Sequence, residues 1–297
     1  MSNAVAALGV DIRDRGIALV VTTADGSIQS RAVRGDTAIG VVVDAVTQAL
    51  AGATAARVGI TVRTPLDPHV APVAQGVAQA AGSADAPRIL TRGAAIALAE
   101  QWLGAAKGAK HVVALALDDR VHAGIVVDGR PFEGAHGLAG AAGWLSLNPV
   151  EREDYRKLGC LEAEVGSAGI VRRLVWRIKA GDRSKVLEAA GGDLNAITLK
   201  HIFDGARGGD GVAISVVRDT ARYIAMAVAN LAVIVDPQAI VLSGAIADAS
   251  DLFLEPVHAE VVRRLPPPVW ESLTFTVGAL GDDAAPLGAA RAAMLDA

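Results

Sequence analysis

The chain has 297 residues, 52% of them hydrophobic and 20% charged, which is apolar material enough for two cores and excludes a disordered chain. A formal net charge of -4 and a pI near 5.9 exclude a basic footprint for direct nucleic-acid binding. Only 3% of the residues are aromatic, so the cores must be built from Ala, Val, Ile and Leu.

In chain order, Ala4 to Ile12 reads as an apolar strand, followed by the charged bend Arg13-Asp14-Arg15-Gly16. Asp11 and these charges arrive too early for the apolar region of a secretory signal. A second strand, Ile17 to Thr23, reaches Asp25-Gly26, a strong hairpin signal, and Ser27 to Val33 returns. Asp36 can cap a helix with the apolar face Ile39, Val42, Val43, Val46 and Leu50. Arg57 to Thr64 alternates as a strand and stops at Pro65, and Gly93 to Leu103 is a helix of small residues. The opening arrangement then recurs: strand His111 to Leu117, bend Asp118-Asp119-Arg120-Val121, strand His122 to Val127, turn Asp128-Gly129. Two copies of strand, bend, strand, hairpin and strand predict two lobes on one plan, with helices covering mixed sheets, an α/β class. Further on, Gly211 to Val235 is a long helix. Its most apolar part, Ala225 to Val235, contains Asn230 and ends at Asp236-Pro237, short of a membrane span. Strands at Gln238 to Ser243 and Leu273 to Val277 and a helix at Ala284 to Leu295 complete the chain. Cys160 is the single cysteine, so no internal disulfide can form, which points to a reducing, cytoplasmic setting.

Several segments carry a resemblance. Gly134-Ala135-His136-Gly137-Leu138-Ala139-Gly140 with Gly159-Cys160-Leu161-Glu162-Ala163 is similar to the signature region of the ROK family of sugar kinases and sugar-responsive repressors. Asn230-Leu231 through Ser243-Gly244, the Gly281 to Ala290 segment and the opening Gly9-Val10-Asp11-Ile12 resemble other parts of that family in the right order. The resemblance implies an actin-like (ribonuclease H-like) two-lobed kinase fold with a central cleft. The expected division is 1–107 for the first lobe, with the helix 284–297 packing back on it, and 108–283 for the larger second lobe. Homodimers are usual in the family. Its repressors carry a DNA-binding helix-turn-helix ahead of this body, and none is expected here.

The same resemblance implies a chemistry from which this chain departs. A sugar kinase of this type needs two glycine-rich bends to cradle ATP phosphates and a carboxylate to take the sugar hydroxyl proton. The family's first bend, D-I-G-G-T, matches Asp11-Ile12-Arg13-Asp14-Arg15, and its second, G-T-G-I-G, matches Asp118-Asp119-Arg120-Val121-His122. The catalytic N-D-A-N matches Thr91-Arg92-Gly93-Ala94, which puts Arg92, a group unable to accept a proton near neutral pH, at the base position. General-base catalysis alone contributes roughly 10²- to 10⁴-fold, about 3–5 kcal/mol. The sugar-binding E-I-G-H becomes Ala141-Ala142-Gly143-Trp144, while Glu162 matches a retained sugar-contacting glutamate. Trp144 either stacks on a ligand ring or fills core volume. The zinc cluster of the family is reduced to Cys160, so no structural zinc is expected.

Arg13, Arg15, Arg92 and Arg120 then allow two readings. They hold an anionic ligand such as a sugar phosphate or sugar acid, or they pair with Asp14, Asp118 and Asp119, as charged bends usually do. Asp282-Asp283 reads as a cap on the final helix, and Arg172-Arg173, Arg177 and Lys179 as a contact patch or a solvated helix face. Gly244 remains as a remnant of the nucleotide side. The expectation is a catalytically degenerate ROK-type protein that binds a sugar-like ligand in a regulatory or structural role, without nucleic acid, membrane, ATP or Mg²⁺. The alternatives are an ATP-dependent sugar kinase of glucokinase or N-acetylhexosamine kinase type, and a sugar sensor related to ROK repressors.

Overall fold

The computed structural model describes residues 6–295; Ala4 and Val5 of the first expected strand lie outside them. The chain opens with strands β1 (Ala7–Ile12), β2 (Ile17–Thr22) and β3 (Ile28–Arg34), then α1 (Ile39–Leu50), β4 (Arg57–Val62), α2 (Val70–Ala81), β5 (Arg88–Thr91) and α3 (Arg92–Trp102). Next come β6 (Val112–Leu117), β7 (Val121–Val127) and β8 (Arg130–Pro131), then α4 (Glu153–Leu158), α5 (Cys160–Val165), α6 (Ser167–Lys179), α7 (Lys185–Ala189) and α8 (Leu199–Arg207). The long α9 (Gly211–Val235), β9 (Ala239–Ser243), α10 (Ala245–Asp248), α11 (Ser250–Val262), α12 (Pro267–Ser272), β10 (Thr274–Val277) and α13 (Ala284–Leu295) complete it.

Two five-stranded sheets result, ordered β3-β2-β1-β4-β5 and β10-β9-β6-β7-β8. The chain forms two compact units, 1–114 with 123–140 and 278–297, and 115–122 with 141–277. The strand–bend–strand motif does recur, but its second copy ends in a strand of two residues, Arg130–Pro131. Pro131 brings no amide hydrogen to a ladder, and Gly134 and Gly137, at φ 72° and 69°, turn the chain away.

Within the first unit, β1 pairs antiparallel with β2 and parallel with β4, and β4 continues parallel to β5. One face of this sheet packs on α1 and α2 through Leu8, Val10, Leu19, Val42, Val46, Ile60 and Val77. Ile39, at 47% exposure, falls off the buried face expected for α1. The closing helix α13 packs on β1, β4 and α3. There the backbones themselves touch: a Cβ on Gly9 would lie 1.8 Å from the Pro286 carbonyl oxygen, and one on Gly59 would lie 1.9 Å from that of Ala289. A Cβ on Gly288 would lie 1.8 Å from the carbonyl oxygen of Ala95 in α3. Small residues are therefore the packing surface here, which is why so few aromatics suffice.

In the second unit α9 is the central helix, buried along most of its 25 residues and packed on α5, α6, α8 and α11. The Asp210 carboxylate caps its first turn by accepting the Ala213 N–H, and Asp236 ends it at φ 48° before Pro237. Among the helices that the sequence pattern did not place, two carry prolines that read as stops. In α2, Pro72 stands in the first turn, where its missing N–H is not needed. In α11, Pro256 lies inside the helix. No helix among the described residues is long and apolar enough to cross a membrane.

The contact between α13 and the first sheet gives a direct test. Gly59→Ala is expected to lower unfolding stability by about 1–3 kcal/mol, the usual cost of forcing a methyl into a filled interior. Urea denaturation followed by circular dichroism measures it.

Candidate functional site

The residues singled out by sequence fall into two clusters, one in each unit. In the first unit the focus is Asp11, next to last in β1 and fully buried. The parallel register sets it beside Thr61 of β4, and the Thr61 hydroxyl donates to Asp11 Oδ1 at 2.5 Å. Asp11 Oδ2 takes the Nε–H of Arg13 at 2.8 Å and that of Arg92 at 3.3 Å. A buried carboxylate is tolerated when its charge is matched and its lone pairs are filled, and both conditions are met here.

Local structure explains why these groups converge. Arg13 starts the β1–β2 bend, which closes when its N–H donates to the Gly16 carbonyl at 3.0 Å. Gly16 has φ 91°, and a side chain there would collide with the Arg34 carbonyl oxygen. The tight turn aims Arg13 back along β1 toward Asp11, while Asp14 and Arg15 stay exposed. Arg92 is the first residue of α3, and the preceding Thr91 caps that helix by accepting the Ala94 N–H at 3.4 Å. β5 thus runs directly into α3 and delivers the guanidinium of Arg92, only 16% exposed, to the carboxylate.

Asp282 also reaches this network, whereas Asp283 pairs outside it. Asp282 pairs with Arg13 at 3.3 Å and Asp283 with Arg31 at 3.2 Å, so both carboxylates carry ion pairs just ahead of α13. The sequence pattern missed Glu100, which is fully buried in α3. Its carboxylate accepts the N–H groups of Ala105 at 2.8 Å and of Ala279 and Leu280 at 3.1 Å each, holding the segment that leads into α13. A helical glutamate followed by Gly104 was the only available hint.

In the second unit, Asp118 follows β6, and its Oδ1 accepts the Ala245 N–H at 2.8 Å, at the start of α10. Gly244, at φ 84°, permits this approach, since a side chain there would meet the Asp118 carboxylate at 2.5 Å. Asp119 is exposed. Arg120 donates to Glu162 Oε1 at 2.8 Å, and the Val121 N–H donates to Glu162 Oε2 at 3.1 Å. Glu162 on α5 therefore braces the bend after β6 with both oxygens. Trp144 ends a short 3-10 turn, Ala142–Trp144, and is 60% exposed, so it fills no core. Its neighbour Gly143 lies against Glu162.

Arg13 and Arg92 are thus joined to Asp11, Arg13 also to Asp282, and Arg120 to Glu162. Arg15, exposed, has no ion pair among the described residues. Arg172, Arg173 and Arg177 are no solvated helix face either. Arg173 reaches the buried Glu164 and the Thr220 hydroxyl, Arg172 reaches Asp154, and Arg177 reaches Ser215 and Asp182. Cys160 is buried among Tyr155, Ala163, Leu147 and Leu158, an apolar setting for a thiol. Among the described residues no group of three His, Cys, Asp or Glu side chains could hold a metal ion.

Comparison with known proteins places these observations in a lineage. The family model described as ROK family matches residues 7–295. A glucokinase of Halalkalibacterium halodurans is 33% identical over 195 residues, 65% of this chain and 58% of the relative. The regulator NagC of Escherichia coli, described as a DNA-binding transcriptional dual regulator, is 30% identical over 165 residues, 55% of this chain and 39% of the relative. These matches span less than two thirds of the curated relatives' own lengths. A ROK family glucokinase of Streptomyces griseus, solved with glucose and AMPPNP, superposes with a TM-score of 0.78 at 27% identity, covering 97% of this chain and 99% of that one.

The Asp11 cluster yields a measurable coupling. Asp11→Asn leaves Arg13 and Arg92 without their shared countercharge and is expected to cost about 1–3 kcal/mol, at the low end for a buried pair because both arginines reach solvent. Combined with Arg92→Gln, the loss should fall short of the sum of the two single losses, as read from urea midpoints in a double-mutant cycle.

Proposed function

The chain belongs to the ROK family, and from that premise we propose that it is a sugar-related member that no longer transfers phosphate and acts instead in a regulatory or structural role. The actin-like two-sheet α/β architecture is shared with ROK sugar kinases. One observation carries the proposal: Arg92, at the position where the family resemblance puts the proton acceptor, is turned onto Asp11 and shares that carboxylate with Arg13.

The chemistry follows from that contact. A guanidinium stays protonated throughout the accessible pH range and cannot relieve a sugar hydroxyl of its proton as it attacks. Asp11, the carboxylate that Arg92 meets, already carries two cationic donors on Oδ2. The residues also fit ATP and Mg²⁺ poorly. Phosphate cradles use free backbone N–H groups, whereas the Ala245 amide at the head of α10 is filled by the protein's own Asp118. Asp119 adds exposed negative charge beside it. Glu162 supports retained sugar binding only if it releases Arg120 or accepts a further hydroxyl, since both its oxygens are engaged. The same reading includes a homo-oligomer that binds neither nucleic acid nor membrane.

The 33% identity to a glucokinase favours a second reading, an ATP-dependent sugar kinase of glucokinase or N-acetylhexosamine kinase type. The match to NagC favours a third, a sugar sensor that works with a DNA-binding partner.

A coupled assay for ADP release with MgATP and glucose, mannose, N-acetylglucosamine or N-acetylmannosamine separates these readings. The expected result is no sugar-dependent turnover above about 10⁻³ of the 1–10³ s⁻¹ usual for enzymes. Sugar-dependent ADP release at ordinary rates, lost in Asp11→Asn, would return the chain to the kinases.

A further inference from the structure

The second unit carries a cavity of about 540 Å³ that no feature of the family resemblance uses. Its walls come mainly from α6 and α9, with Arg152 and Glu164 ahead of them and Arg264 after α11. Five arginines line it, Arg152, Arg172, Arg173, Arg222 and Arg264, against the two carboxylates of Glu164 and Asp219. Counting the ion-pair partners just behind the lining, Asp154 and Glu260 with Arg263, six guanidinium groups face four carboxylates. This concentration of positive charge stands out in a chain with net charge -4.

The floor of the cavity is saturated. Glu164, 4% exposed, accepts from Arg152 at 3.1 Å, from Arg173 and from the Tyr155 hydroxyl at 2.5 Å. Burial and this bond to Glu164 push the Tyr155 hydroxyl well above the usual phenol range, so it remains a donor. Arg173 is further fixed by the Thr220 hydroxyl at 2.9 Å and lies over the Tyr223 ring. These groups are structural.

The rim is not saturated. Arg222 is 57% exposed and pairs with Asp219 at 2.9 Å, with the Glu260 carboxylate also near. Arg172 gives one Nη to Asp154 and to the Ala163 carbonyl, while its buried Nε has no acceptor. Arg264 is held by Glu260 alone, and the hydrogen bond from Arg264, with Arg263 and Arg222 close by, keeps that carboxylate below its usual range. Trp176 is half exposed, and Arg152 and Arg172 lie over its ring at 5.0 and 5.2 Å from the centroid. With Met226 it supplies an apolar platform among the charges.

We propose that this cavity is an effector site for a small organic phosphate, with the phosphoryl group held by Arg172, Arg222 and Arg264 and the organic body lying on Trp176 and Met226. A phosphate monoester carries close to two charges and three acceptor oxygens, which several guanidinium forks spread around a mouth can share; a single carboxylate would satisfy one of them. The volume lies in the range of about 300–1,000 Å³ that small-ligand pockets occupy. The site is built within the second unit alone and does not rest on the proposed loss of phosphoryl transfer at Asp11.

The test uses the full chain, at constant ionic strength set with chloride. Isothermal titration and thermal melting with pyrophosphate, glucose 6-phosphate and glucose form the first arm. Both phosphates should bind saturably, glucose 6-phosphate raising Tm by about 4 °C at hundredfold excess over its Kd. Arg222→Gln, an exposed position unlinked to the floor, should weaken glucose 6-phosphate about tenfold or more while the ligand-free melt stays unchanged. Glucose 6-phosphate should also change tryptophan fluorescence in the wild type and fail to do so in Trp176→Phe. Binding that survives Arg222→Gln and Arg264→Gln but is lost in Arg13→Gln or Arg92→Gln would assign the phosphate to the Asp11 cluster and overturn the proposal. So would the absence of saturable binding by either phosphate.

Discussion

A carboxylate with no access to solvent organises the first unit. Asp11 brings the charge of one β-strand into a place where charge is costly, and the surrounding elements are arranged so that the cost is met. Thr61 arrives through the parallel register of β1 and β4. Arg13 arrives because the tight bend folds back, and Arg92 because β5 passes straight into the first turn of α3. Asp282, just ahead of the closing helix, takes the far side of Arg13. One side chain thus couples the first bend, two strands, the head of α3 and the entry to α13.

That network is compatible only with close approach of backbones. Gly9, Gly59 and Gly288 let α13 lie against β1, β4 and α3 with carbonyl oxygens where side chains would otherwise be. Glu100 pins the approach to that helix by holding the N–H groups of Ala279 and Leu280. An interior of Ala and Gly has little bulk to lose and little room to gain, so its order depends on such hydrogen-bonded anchors. The second unit solves the same problem around a single long helix. There the buried charge is Glu164, matched by Arg152 and Arg173 with the Tyr155 hydroxyl.

The two charged bends engage the rest of the chain in different ways. In the bend after β1 the Arg13 guanidinium is directed inward onto Asp11, while Arg15 stays exposed. In the bend after β6 a carboxylate is directed onto a backbone amide and an arginine onto Glu162. These intramolecular contacts are what the proposed regulatory or structural role rests on.

Much of this was legible from the residues alone. Apolar alternation, the Asp25-Gly26 and Asp128-Gly129 turns and the Pro237 boundary located most strands and the helices α1, α3, α9 and α13, because those signals are local, although α1 starts at Ile39 with Ala38, not Asp36, at its N-cap. The α/β class and the family followed from the order of its segments. Helices α2 and α11 were harder, since a proline inside a helical segment reads as a stop until packing overrides it. Which carboxylate each arginine would meet could not be read at all. Arg92 and Asp11 are 81 residues apart, Arg120 and Glu162 are 42 apart, and charge partners at such separations are fixed by strand register and helix placement. The exposure of Trp144, the three amides on Glu100 and the arginine-lined cavity around Trp176 likewise belong to the tertiary structure. A side chain's neighbours across space, unlike its periodicity along the chain, exist only once the elements have packed.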